Sequence, residues 1–308
     1  VVDIRALDDH AAAVAIRDRR IDVLIDMHGL SSGARPGIFA RHPAPVMGTF
    51  LGFIGTTALP WIDFVVADRF TLPDALTPFM TERPLYIDGS LIPLAHTPVH
   101  RTGLTRAKVG LPDDAVVLAC FNNIYKITPG MFACWLRILR RVPQAVLWLL
   151  DDNAPASAAL RQHAASAGIG PDRLKLAGRS THAEYRERLT LADLYLDTFP
   201  YNAGSTARDV LDAGLPMVTL SGQTMVSRMA GGLLHAAGFD HLITTSMEAY
   251  ETRVAQLASQ PDALDDIRRD LKTRAATWAD APARWMRSFE AELFARVATA
   301  PAPPSDRR

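Results

Sequence analysis

Apolar residues along this chain come in short blocks of four to eight, separated by longer stretches with helical spacing. In the first third, IDVLIDMHGL (21–30), Val46–Phe50 and Phe64–Ala67 read as buried strands, with Val1–Ile4 as an opening strand and Leu85–Ile87 as a short extended piece. A helix over Leu7–Arg19 follows the opening strand, its alanines and Val14 recurring at helical spacing. Prolines dominate from Arg69 to Pro98, and the polar segment Ala95–Gly110 reads as a linker. Strand blocks then return at Ala115–Asn122, Ala145–Leu150, Leu174–Ala177, Leu194–Leu196, Pro216–Leu220 and Leu242–Ile243. Between them lie helices: one after Thr128 with Met131, Trp135, Ile138 and Leu139 on one face, then 156–167, His182–Leu191, one from Ser205 and Val226–Ala237. Helices over Ala249–Ser259, Pro261–Trp278 and Arg284–Val297 close the pattern, and APAPPSDRR reads as a frayed tail.

Alternating strand and helix predict an α/β protein with parallel sheets covered on both faces. The linker divides it into two Rossmann-like parallel-sheet lobes, residues 1–102 and 103–283, with a terminal helix and tail over 284–308. Such lobes place ligands at the carboxyl ends of their strands.

Composition narrows the class. The 308 residues, 48% of them hydrophobic, suffice for two cores, and 33 basic against 33 acidic residues give no general attraction to nucleic acid or membrane. Cys120 and Cys134 both lie in apolar segments, which suits a reducing compartment and no zinc pattern. No apolar run reaches 18 residues, so the expectation is a soluble, cytoplasmic protein without a membrane partner. A start at Val1 that runs straight into VVDI reads as the middle of a longer polypeptide.

Candidate chemistry gathers at strand ends. In LDTFPYNAGSTARDVLDAGLPMVTL (196–220), Ser205 or Thr206 is suited to cap a helix whose first turn can hold a phosphate, and Asp209 lies one turn along, within reach of a sugar hydroxyl. The same residues also suit an ordinary capped helix. Lys126 follows another strand and can neutralise a diphosphate, or stand as a solvated loop lysine; Asn123 beside it can bond a base or cap a turn. Ser180, Thr181 and His182 open a further helix with Tyr185 one turn on, able to hold a nucleobase or merely to cap. His28 after its strand and Arg228 after Leu220 are further candidates. Gly-x-Gly-x-x-Gly, Gly-Lys-Ser/Thr, Asp-x-Asp and His-Glu-x-x-His are all missing. What remains suits a metal-free, cofactor-free transferase acting on a nucleoside-diphosphate sugar, in which a lysine and a helix dipole replace the cation.

GARPGIFARHPAPVMGTFLGFIGTT, FNNIYKITPGMFACWLRILRRVPQAVLWLL and LADLYLDTFPYNAGSTARDVLDAGLPMVTLSGQTMVSRMA together resemble the catalytic region of the O-linked N-acetylglucosamine transferase family, including its bacterial members. The likeness runs from Asp3 to about Phe294. It implies a GT-B fold and metal-free, inverting transfer of GlcNAc from UDP-GlcNAc to Ser or Thr hydroxyls of a protein or peptide acceptor. By the same resemblance Lys126 is the lysine on the donor diphosphate and Asn123 stands at the neighbouring Gln position. Ser205 and Thr206 match a threonine pair at the phosphate-binding helix start, Asp209 the ribose-holding aspartate. His182 and Tyr185 fall where the family has Lys and His near uracil and ribose, and Gly204 replaces a family His. The family's N-terminal repeats and the start of its first lobe, with a histidine proposed as catalytic, would precede Val1, leaving that lobe incomplete and the fragment poorly active. Two alternatives stay open: protein O-fucosyl transfer from GDP-fucose, and a non-catalytic nucleotide-sugar-binding scaffold.

Overall fold

The computed structural model describes residues 1–299, and the tail expected over 300–308 lies outside them. Two units divide the chain, residues 1–91 with 283–299, and Ile92–Pro282.

The first unit contains α1 (Asp9–Arg17), β1 (Val23–Asp26), α2 (Pro36–Phe39), β2 (Val46–Thr49), β3 (Phe64–Ala67) and β4 (Arg83–Tyr86). Its four strands pair in chain order, all parallel, with Val23 opposite Val46, Gly48 opposite Phe64 and Phe64 opposite Arg83. Gly48 is required there, because a Cβ would run into the Phe64 ring. Val1–Ile4 forms no strand: Val1 and Val2 are exposed, Asp3 is tied to Arg5 by a local ion pair, and β1 is the sheet's edge. With no ladder beside it, an apolar pair alone cannot order an extended segment.

In the second unit the strands are β5 (Val116–Cys120), β6 (Ala145–Asp151), β7 (Leu174–Gly178), β8 (Leu194–Leu196), β9 (Met217–Leu220) and β10 (Ile243–Thr244). Interleaved with them are α3 (Pro129–Arg141), α4 (Ala154–Ser166), α5 (His182–Leu189), α6 (Ser205–Asp212) and α7 (Met229–Ala236), followed by α8 (Met247–Ala258) and α9 (Pro261–Ala275). The six strands lie in the order β10-β9-β8-β5-β6-β7, every pair parallel. Chain progress runs outward from β5 through β6 to β7, then restarts on the other side with β8. The sheet therefore has its topological switch point between β5 and β8, the crevice where open α/β sheets bind ligands. Met131, Trp135, Ile138 and Leu139 of α3 are all buried against this sheet, as their spacing requires, and each contributes roughly 1.5–3 kcal/mol by leaving water. The expected helix over Val226–Ala237 is broken at Arg228, because Thr224 and Ser227 close a capping box that winds Met225–Ser227 into a separate 3-10 turn.

Residues 92–102 cluster with the second unit for an electrostatic reason. Buried Asp212 of α6 accepts the Thr97 amide (2.8 Å) and pairs with buried Arg186 of α5 (2.5 Å), which donates to the Thr97 carbonyl (2.7 Å). Glu187, also buried, accepts the amides of Thr102 (2.7 Å) and Gly103 (3.2 Å). These bonds make 96–103 a strap across α5 and α6. A last helix, α10 (Ala281–Thr299), brings Trp285 onto Phe50 and Phe289 in the first unit (ring centroids 5.4 Å in each pair), and the Trp285 indole N–H donates to the Ser90 carbonyl at 3.1 Å.

Candidate active site at the switch point of the second sheet

The strands on either side of the switch point end in polar loops. After β5 come Asn122, Asn123 and a 3-10 turn, Ile124–Lys126, that points Lys126 back over the loop following β8. The Lys126 ammonium donates to the Asn202 carbonyl (3.1 Å) and sits 3.7 Å from the centre of the Tyr201 ring. Burial pulls its pKa down from the ordinary lysine value, and the negative charge of Asp197 opposes that shift. An ammonium carries three donors, and only one is engaged by that carbonyl.

The start of α6 differs from its expected form. Neither Ser205 nor Thr206 caps it: Gly204 holds the cap position, and no side chain bonds the first turn. The amides of Ala207 and Arg208 turn back to the Gly204 carbonyl. A Cβ at Gly204 would lie 2.5 Å from Cε of Met229, so a larger residue there requires that flexible side chain to move. Exposed Ser205 and half-buried Thr206 thus stand at an uncapped positive helix end.

By contrast, Thr181 at the start of α5 is spent on structure. It accepts the Glu184 amide (3.3 Å) while Glu184 accepts the Thr181 amide (3.2 Å), a complete capping box. Ser180, Asn123, Tyr185 and Thr206 line one cavity of about 260 Å³ together with Phe121 and Arg179. The Tyr185 hydroxyl is buried beside Thr206, and burial raises its pKa above the ordinary phenol value. Beside the cavity, Asp209 is buried on α6 and its carboxylate lies 3.6 Å from the His182 ring nitrogen. Burial pushes the Asp209 pKa up, and His182 and Arg208 partly counter that shift.

Nine of the eleven expected residues in this unit therefore meet at one sheet edge: Lys126, Asn123, Ser180, His182, Tyr185, Gly204, Ser205, Thr206 and Asp209. Thr181 is their scaffold. Arg228, the eleventh, has its guanidinium on the Gly222 carbonyl (3.1 Å). His28 belongs to the first unit, where it is exposed in the loop after β1 and its amide donates to Asp26 Oδ1 (2.8 Å). Residues absent from the sequence reading are Phe121, Arg179, Tyr201 and Asp197. Their signal was positional, since each sits at or just after the carboxyl end of a strand. Among the described residues no cluster of three His, Cys, Asp or Glu side chains is placed to hold a metal ion, and no helix is long and apolar enough to cross a membrane.

Fold and site define the GT-B class of glycosyltransferase, two parallel-sheet α/β units with a polar crevice at a switch point. The profile of glycosyl transferase family 41 matches residues 1–99 and 94–280, and the chain belongs to that family. It is 34% identical over 301 residues to the probable UDP-N-acetylglucosamine–peptide N-acetylglucosaminyltransferase SEC of Arabidopsis thaliana, covering 95% of this chain and 31% of that one. The corresponding SPINDLY protein of Solanum lycopersicum is 29% identical over 275 residues, covering 88% of this chain and 29% of that protein. A solved O-GlcNAc transferase mutant from Thermobaculum terrenum superposes with a TM-score of 0.85 at 28% identity, covering 96% of this chain and 55% of that structure. The chain thus spans about a third of its plant relatives' length.

Proposed function

We propose that this chain forms the catalytic region of a protein O-GlcNAc transferase: an inverting, metal-independent enzyme that moves GlcNAc from UDP-GlcNAc to Ser or Thr hydroxyls of an acceptor protein. The observation that carries the reading is the convergence of Lys126, the uncapped α6 start and Asp209 at one sheet edge, beside a cavity lined by Phe121, Tyr185 and Thr206. A nucleoside diphosphate needs those three things: a cation and free amides for its phosphates, a carboxylate for its ribose hydroxyls, and a flat, partly apolar slot for its base. In the reaction the acceptor hydroxyl attacks the anomeric carbon from the face opposite the diphosphate. The bond from that carbon to the β-phosphate oxygen breaks, UDP leaves with the electron pair, and the hydroxyl proton passes to a base. Lys126 and the first amides of α6 stabilise the charge that grows on the departing diphosphate, which is the work a metal ion does in other transferases. The names of the relatives support GlcNAc as the sugar and a peptide as the acceptor.

Calorimetric titration with UDP, using GDP as the control, tests this. The expected outcome is micromolar binding of UDP in preference to GDP, weakened at least tenfold, about 1.4 kcal/mol, in Asp209→Ala. Preference for GDP, or affinity untouched by Asp209→Ala, overturns the donor assignment.

A further inference from the structure

Asp197 has no part in the reaction just described, yet it is the best-bonded carboxylate at the switch point. It ends the β8 edge with no exposure to solvent. Its Oδ1 accepts the amides of Thr198 and Ala203 (both 2.8 Å) and the Asn122 side-chain amide (3.3 Å), and its Oδ2 accepts the Thr219 hydroxyl (2.6 Å). Thr198 and Ala203 bound the loop that carries Tyr201, Asn202 and Gly204 to the start of α6. Asn122 ends the β5 side and Thr219 lies on β9. One carboxylate thus ties together the ends of three neighbouring strands.

Hydrogen bonding alone does not call for a charge at this point. An asparagine oxygen could accept the same two loop amides while its nitrogen donated to the Thr219 hydroxyl. A carboxylate adds negative charge at the base of the loop that Lys126 bonds, and the Lys126 ammonium otherwise meets only a carbonyl and an aromatic face and, among the described residues, forms no ion pair. We infer that Asp197 is a positioning residue for the donor site: it fixes loop 197–204 and holds Lys126 charged above that loop, without touching the donor. This rests on the donor reading given above. The titratable groups facing the pair are Cys120 from β5, Tyr195 from β8 and Tyr250 from α8, with Tyr201 from the loop. Burial pushes Cys120 up to about 12 and raises all three tyrosines above the ordinary phenol value, so none carries charge near neutral pH.

Because the sequence holds four lysines, Lys108, Lys126, Lys175 and Lys272, the Lys126 ammonium can be titrated directly by NMR of lysine-labelled full chain, with Lys126→Met assigning its signal. In Asp197→Asn the Lys126 midpoint is expected to fall by about one pH unit, because the ammonium loses its buried counter-charge. UDP affinity should then decline at a lower pH than in the parent chain. A merely structural Asp197 would lower the melting temperature and leave the lysine midpoint in place, so an unchanged midpoint in folded Asp197→Asn overturns the inference. Should Asp197→Asn not fold, the reciprocal measurement decides: in Lys126→Met the Asp197 carboxyl must titrate at higher pH than in the parent, and an unchanged value overturns the coupling. Neither NMR titration involves donor. Coupling without UDP binding by the parent chain overturns the donor reading and the role drawn from it; UDP binding without coupling overturns this inference alone.

Discussion

Two helices of the second unit start at a Ser–Thr pair, Ser180–Thr181 just before α5 and Ser205–Thr206 as the first residues of α6, and their first turns end up in opposite states. At α5 the Thr181 hydroxyl and the Glu184 carboxylate satisfy the orphan amides reciprocally. At α6 the third residue of the helix is Ala207 instead of a Glu, the cap is a glycine, and no side chain reaches the amides. A helix end closed by its own side chains is stable and inert; one left open is less stable and available to an anion. Small polar residues at a helix start therefore mark a candidate site only when the reciprocal acid three residues on is missing.

The sharpest break in this comparison comes from the lysine over the open end. Lys126→Ala is expected to lower turnover by about 10²–10³-fold, the usual loss when one group that stabilises developing charge is removed. Lys108→Ala serves as the control, since that exposed side chain only reaches the Gly103 carbonyl, and steady-state rates should barely change. Closing the open end comes next: Gly204→Asp supplies both a cap and a negative charge, and UDP affinity should fall about tenfold by calorimetry. Met229 must swing its terminal methyl aside, which its flexible side chain permits. The smallest effect is expected from opening the closed end. Thr181→Ala should cost about 1 kcal/mol and lower the melting temperature by about 2–4 °C, with UDP affinity within about twofold of the parent. An equal loss of UDP affinity in Thr181→Ala and Gly204→Asp would erase the distinction between the two helix starts.

Strand positions were legible because their apolar blocks are buried on both faces. Phe64–Ala67 and Leu194–Leu196 carry the expected limits, and both are fully buried. Val1–Ile4 has the same apolar letters but no partner strand, and composition cannot report pairing. Pro36–Phe39 shows how a four-residue helix hides in a Gly- and Pro-containing run too short for periodicity. The places of Lys126 and Asn123 could be read because they closely follow the β5 block, and those of Thr206 and Asp209 because they open the helix after the β8 block. The place of Asp197 at the end of β8 was readable but its bonding was not: its donors include Asn122, 75 residues away, and Thr219, 22 residues away, and long-range hydrogen bonding leaves no local pattern. Nor was the vacancy at the α6 cap, which depends on the backbone angles of Gly204 more than on the hydroxyls beside it.

The strap over 96–103 bears on the thermodynamics of ligand capture. Arg186, Glu187 and Asp212 follow Tyr185 and Asp209 by one to three residues, and through the strap they lock the two helices that would grip a base and a ribose. On the proposed donor reading, a nucleotide arriving there would find its contacts already spaced, so that little conformational entropy would be lost on binding and more of the contact energy would appear as affinity. In hydrogen exchange, α5 and α6 should consequently open together as one cooperative unit, with protection that nucleotide raises only modestly.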